Sequence, residues 1–237
     1  FYISNNLFLA AIVAALLWTL ISNRKTDSYR DNFWFLLMLP LFMLTKNLML
    51  SDDYSQIGFS MAVGLFRIAI LVMLERTLTA FMRSAFQVEI LQNTKLNMAI
   101  KLLALLLVFS GMLPIQIASG ITLLLAVLLT GRFIYWHPQL AMRRLDISIM
   151  YLGYIAIVVQ LLLEFFRQTG HLAATTSLSI HVFTLGAMGL IIPAMLIRIS
   201  KGHTGRKVSF DTVDKLALCF MILAVVLRIV APLLQPD

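Results

Sequence analysis

The chain has one cysteine, Cys219, among 237 residues. It sits inside an apolar run, so neither an internal disulfide framework nor a thiolate metal site can be built from it. Charge is scarce as well. Only 13% of the residues are Asp, Glu, Lys or Arg, while 60% are hydrophobic; a soluble domain has about 25% charged and about half apolar. Acidic residues are the scarcer sign, 11 against 19 basic, for a formal net charge of +8. Low-complexity stretches, obvious repeats and long linkers are absent, and nothing resembles a P-loop, a zincin motif, a nucleophile elbow or a dinucleotide fingerprint. No charged segment precedes an apolar one at the start, so no signal peptide is expected, and a chain opening at Phe1 is expected to be the remainder of something longer. Together with a mean hydropathy of +0.91, these absences exclude a soluble domain and leave a polytopic membrane protein.

Cutting the sequence at charged and turn-forming clusters leaves eight apolar segments, roughly 7–22, 32–50, 57–81, 96–113, 115–130, 147–165, 177–199 and 213–234. Each has about 16–25 residues, enough at about 1.5 Å per residue to cross a hydrocarbon core of about 30 Å, the shortest only marginally. Basic residues alternate with these crossings. The first loop carries Arg24, Lys25 and Arg30, the third Arg83 and Lys95, the fifth Arg132, Arg143 and Arg144, and the seventh Lys201, Arg206, Lys207 and Lys215, with Arg198 at its edge. The even loops offer Asp52 and Asp53, then nothing around Pro114, then Arg167. The alternation puts loops 23–31, 82–95, 131–146 and 200–215 in the cytoplasm and both chain ends outside. The surplus charge is therefore topology, and the expected partner is the lipid bilayer rather than nucleic acid. Lys46 and Lys101, within a turn or two of helix ends, are expected to snorkel. The fold class expected is all-α, a single transmembrane helical bundle over residues 1–237.

A charge in the hydrocarbon costs at least about 2.5–3.5 kcal/mol on insertion scales, so each one asks for a reason. Arg67 lies about 15 Å into the third segment, too deep to snorkel comfortably, and calls for a buried acidic partner such as a propionate. Glu75 follows on nearly the same face about 12 Å further in, with Arg76 beside it. Glu164 lies near the outer end of the sixth segment and Arg228 roughly two turns below the outer end of the eighth. For those two, pairing or snorkelling that only orders the bundle is as good an account as a functional one. Read as a substrate or proton path, Arg67, Glu75, Glu164 and Arg228 suit an ion- or proton-coupled transporter.

The seventh segment carries the most information. At about 100° per residue, His181, Leu185, Met188, Ile192 and Ile199 form one stripe, with Thr184 and Met195 on its flank. Gly186, Gly189 and Pro193 lie on another face, where small residues admit a neighbouring backbone or a flat ligand. An imidazole beside a wall free of side chains is what a haem needs; a close helix crossing with a hydrogen-bonded histidine uses the same residues. His203 cannot ligate the same iron as His181, because a continuous helix separates them by about 33 Å. Its surroundings, Gly202-His203-Thr204-Gly205-Arg206 with Lys201 and Lys207, suit a second metal or an anionic group, or else a capped turn with Gly202 as the helix stop. His137 and His171 read as interfacial. The 13 methionines raise copper(I), since thioethers select that ion, but only Met188 and Met195 share a region with His181, and methionine is also an apolar filler.

The run His181-Val182-Phe183-Thr184-Leu185-Gly186-Ala187-Met188-Gly189, continued by Ala194-Met195, Arg198 and Gly202-His203-Thr204-Gly205-Arg206, resembles the C-terminal signature of the NnrS family over about 26 residues. That signature is His-x-x-Thr-x-Gly-Ala-x-Gly running through to Gly-His-Thr-Gly-Arg. A weaker resemblance covers Arg76, Phe81 and Arg83, where this chain has Glu75 in place of a usual Gly and Thr79 in place of a usual Pro. The remaining helices resemble the family in hydropathy and spacing, and the family's His-rich N-terminal segment has no counterpart here. The resemblance implies a bacterial inner-membrane protein of about twelve helices, of which this chain would be the C-terminal eight. It implies haem and copper, and a role in nitric oxide metabolism or in protection against nitrosative stress. It makes His181 and His203 the metal-ligand candidates, with Arg198 and Arg206 in support. The cofactor site expected on this basis comprises His181, Thr184, Gly186 and Gly189, with Arg67 and Arg228 balancing propionates, Glu164 tuning a ligand, and His203 with Arg206 forming a cytoplasmic site. Nitric oxide, small and apolar, would reach such a site through the lipid.

Overall fold

The computed structural model describes residues 2–26, 30–171, 176–206 and 208–234. Among them there is no strand. The helices are α1 (Tyr2–Ser22), α2 (Phe33–Met49), α3 (Ser55–Phe86), α4 (Thr94–Leu106), α5 (Ile115–Ile134), the short α6 (Pro138–Ala141), α7 (Leu145–Gln168), α8 (Thr176–His181), α9 (Gly189–His203) and α10 (Thr212–Leu234). A 3-10 helix, Leu107–Met112, continues α4, and a π-helix, Val182–Met188, joins α8 to α9. Counting these continuations, eight long helices fall on the eight apolar segments read from the sequence. Six of them, Ile3–Ser22, Ser55–Phe86, Thr94–Met112, Ile115–Ile134, Leu145–Gln168 and Ser177–His203, are long and apolar enough to cross a membrane. The 17-residue α2 is shorter. The all-α polytopic architecture is therefore the one the hydropathy implied. Residues 27–29 and Lys207, which belong to two of the basic loops, lie outside the described residues.

The helices group into two compact units, Phe1–Met73 with Ala104–Pro114, and Leu74–Leu103 with Ile115–Asp237. In the first, Met38, Met61, Leu65 and Ile68 are fully buried, and Arg67 among them is only 3% exposed. Phe42 and Phe66 meet edge to face with centroids 4.9 Å apart.

In the second unit α7 is the element on which the others lie. Its buried residues Ile147, Tyr151, Tyr154, Ile157 and Leu161 recur at three- and four-residue steps and form one stripe. Against it lie α5, the π-helix and α9, which bury Leu125, Leu129, Phe183, Ala187, Ile191 and Ala194. Lipid offers no hydrophobic drive to bring helices together, so close packing and polar contacts must do so. Two tyrosines supply such contacts. The Tyr154 hydroxyl donates to the Leu129 carbonyl at 2.9 Å and the Tyr151 hydroxyl to the Trp136 carbonyl at 2.6 Å.

Three expectations are corrected here. Arg132 is not a loop residue: α5 runs on to Ile134, and Arg132 is 1% exposed. Lys101 does not snorkel; it is 5% exposed, because an acidic partner waits inside. Gly202 is not the stop of α9 either. It lies within the helix, and the left-handed residue is Gly205, at φ +68°. The Gly205 N–H donates to the Gly202 carbonyl and the Arg206 N–H to the Lys201 carbonyl, the paired bonds of a Schellman cap. Gly205→Ala should therefore destabilise by about 1 kcal/mol through the left-handed conformation. Gly202→Ala, where a Cβ meets nothing within 4 Å, should stabilise by about 0.5 kcal/mol. Thermal unfolding of the two variants in detergent checks this, and shifts of the same sign would refute it.

Beyond the cap, Asp211 and Asp214 exchange backbone-to-side-chain bonds at the start of α10, N–H to carboxylate in each direction, at 3.0 and 3.1 Å. This is a capping box built from two acids. Lys201 pins it by donating to the Ser209 carbonyl and to both carboxylates. The Asp214 N–H, and after it the Lys201 ammonium, hold the Asp211 carboxyl below the usual carboxylate range.

Candidate functional site

The signature helix holds its most unusual geometry immediately after His181. From Val182 to Met188 the backbone widens into a π-helix, closed by the Gly189 N–H reaching five residues back to the Thr184 carbonyl. Two features of the sequence favour this. The Thr184 hydroxyl donates to the Ile180 carbonyl at 2.9 Å, taking up an acceptor of the regular ladder. Pro193 lacks the N–H that would otherwise bond the Gly189 carbonyl. Single π-turns inside α-helices occur frequently at functional sites.

At the head of that turn His181 meets Arg228 of α10, with guanidinium Nη2 2.7 Å from imidazole Nε2. Arginine carries only donors, so Nε2 accepts the bond and the ring proton sits on Nδ1. His181 is partly buried, and Thr184 and Arg228 are exposed. The imidazole edge therefore points out of the packed interior of the unit. Two residues 47 positions apart in sequence, each singled out there on other grounds, are in direct contact.

The glycines take a different part. A Cβ on Gly186 would lie 3.0 Å from Ala156 Cβ of α7, and one on Gly189 would lie 2.6 Å from the Met221 methyl of α10. Their bare faces are occupied by the neighbouring helices, so the close-crossing account of these two residues is the one the geometry gives.

A second cluster lies toward the other end of the same helix. Arg198 Nη1 donates to Asp146 Oδ2 at 2.6 Å, and its guanidinium carbon lies 3.7 Å from the centre of the Phe81 ring. Arg144 holds the same carboxylate with two bonds, at 3.1 and 2.9 Å. The strong and the weak signature segments thus meet in space, through Arg198 and Phe81.

A third cluster is buried between α3, α4, α5 and α7. Glu75 pairs with Lys101 at 3.2 Å and with Arg132 at 3.5 Å, and all three side chains are at least nine-tenths buried. Arg132 Nε donates to the Tyr154 hydroxyl at 3.2 Å, and its guanidinium lies 4.5 Å from the Trp136 ring centre. Asn97 Oδ1 accepts from Arg132 at 3.5 Å. Of these residues the sequence marked only Glu75 as exceptional. Lys101 read as a snorkelling cation near a helix end and Arg132 as a loop cation.

Glu164 accepts amide N–H bonds from Gln160 at 2.8 Å and from Gln168 at 3.4 Å, and Gln160 also approaches Ser179 at 3.5 Å. His203 and Arg206 are exposed, at the end of α9 and in its cap. Arg67 belongs to the first unit. Among the described residues, no group of three or more His, Cys, Asp or Glu is placed to hold a metal ion.

No curated protein and no solved structure matches the chain. The family model described as NnrS protein matches residues 1–237, so the likeness extends to the helices that share only hydropathy and spacing with the family. With the whole chain matched, and with its two signature segments in contact at Arg198 and Phe81, this polytopic membrane protein belongs to the NnrS family.

Proposed function

We propose that the protein binds haem through His181 and acts in the bacterial inner membrane, with its basic loops in the cytoplasm, in nitric oxide metabolism or protection against nitrosative stress. The observation that supports this best is the His181–Arg228 pair at the head of the π-helix, with Nε2 directed away from the packed interior. The residues present fit a haem that His181 would hold. One imidazole is presented to an accessible face, and the Arg228 cation beside it would balance a propionate. Bound haem would supply an iron to which nitric oxide coordinates; His181 would hold it and Arg228 would balance its charge, with Thr184 on the same accessible side. Gly186 and Gly189 stay outside this proposal because helices fill their faces. Copper is implied by the family, and among the described residues no group of three or more His, Cys, Asp or Glu is placed to hold it. Of the charges that also suited a transport path, Glu75 pairs with Lys101 and Arg132, Arg228 meets His181, and Glu164 accepts from Gln160 and Gln168.

The purified protein should show a Soret absorption band that disappears in His181→Ala. Arg228→Ala should keep the band but shift it, since the cation near the ring is gone. A protein that stays colourless and free of iron, or a band unchanged in His181→Ala, overturns the proposal.

A further inference from the structure

We propose that the first unit binds a zwitterionic phospholipid: one acyl chain lies in the cavity among α1, α2 and α3, the phosphate meets Lys46, and the ammonium group meets Asp52 and Asp53. The cavity holds about 380 Å³, within the range of small-molecule sites. Phe42, Ala62 and Phe66 form apolar walls, and Asn5, Thr45 and Lys46 are the polar residues that line it. Thr45 is turned to its own helix, donating to the Leu41 carbonyl. A space so poor in polar partners does not hold ordered water well, and an aliphatic chain fills it.

The position of Lys46 selects the head group. It lies in the last turn of α2, just before the turn that leads to α3. Its ammonium has three N–H groups, one of them directed to Asn6 Oδ1 at 3.2 Å. Asp52 and Asp53 are exposed in the following turn. A head group with a net negative charge would find one cation and two carboxylates there. One that carries a phosphate and an ammonium finds a complement for each.

Native mass spectrometry of the full chain, released from detergent after addition of phosphatidylethanolamine or phosphatidylglycerol with the same acyl chains, tests the assignment. The wild type should retain the ethanolamine lipid about fivefold better, the scale of one exposed ion pair. Lys46→Ala should lower retention of both lipids, Asp52→Asn with Asp53→Asn should erase the preference between them, and Ala62→Phe, which fills the cavity, should abolish retention. Equal retention of the two lipids by the wild type, or unchanged retention in both Lys46→Ala and Ala62→Phe, overturns the proposal. A Lys46 that serves only the dipole of α2 would give that second result.

Discussion

Glu75→Gln should lower stability by about 3–5 kcal/mol, the usual consequence of removing one partner from a buried ion pair. The reason lies with what remains. Lys101 and Arg132 are 5% and 1% exposed, and glutamine offers them a neutral carbonyl in place of a carboxylate. Arg132 keeps the Tyr154 hydroxyl, Asn97 and the Trp136 face, so it is partly served. The melting temperature of the protein in detergent should fall by on the order of 10 °C. Glu89→Gln is the control, since that carboxylate is 78% exposed and bonded to an Arg83 that is itself 66% exposed; a pair of that kind contributes about 1 kcal/mol or less. Adding Lys101→Met to Glu75→Gln should recover part of the loss, because it removes a buried cation whose paired carboxylate is gone. A Glu75→Gln protein that melts with the Glu89→Gln control would show that the cluster does not hold the second unit together.

The helices were legible because the signal for them is one-dimensional. About twenty apolar residues in a row read as a helix wherever the chain goes next, all eight segments have a long helix at their place, and six of those helices are long and apolar enough to cross a membrane. The charged residues divided differently. Glu75 stood out since a carboxylate in mid-segment has no bland explanation, but Lys101 and Arg132 near segment ends look the same whether they reach for the interface or fold inward. The choice is made by Glu75, which for Lys101 is 26 positions away. The π-helix was also out of reach. A uniform 100° per residue placed His181, Met188, Ile192 and Ile199 on one stripe, and that arithmetic fails once the wide turn at Val182–Met188 rotates everything after it. His181 and Arg228 were each marked by chemistry, one as a ligand and one as a charge in lipid, yet their contact depends on α8 and α10 lying side by side. Gly202 and Gly205 show the same limit at short range. Both are plausible helix stops, and the backbone bonds from Gly205 and Arg206 back to Gly202 and Lys201 decide between them.

Asp146→Ala should destabilise by about 3 kcal/mol, at the lower end for a broken buried pair. The two arginines on this carboxylate are not equivalent. The Arg144 side chain is 36% exposed and regains water, so its share is about 1 kcal/mol or less, while the Arg198 side chain is 9% exposed and does not. Without the carboxylate Arg198 keeps the Phe81 ring at 3.7 Å as a cation–π partner, which supplies about 1–2 kcal/mol when desolvated and keeps the loss from reaching the upper end of the range. Arg144→Ala should therefore cost far less than Asp146→Ala, and Asp146→Ala with Arg198→Met should melt above Asp146→Ala alone. Equal melting of Arg144→Ala and Asp146→Ala would place the load on the exposed arm and refute this account. The same variant separates structure from chemistry along one helix. Arg198 and His181 lie 17 residues apart on a continuous helical rod, about 25 Å at 1.5 Å per residue. If the Arg198 cluster serves to seat α9 against α3 and α7, Asp146→Ala should melt early while a folded sample at low temperature keeps any absorption that depends on His181. Loss of that absorption in a folded Asp146→Ala protein would mean that the two ends of the signature act as one unit.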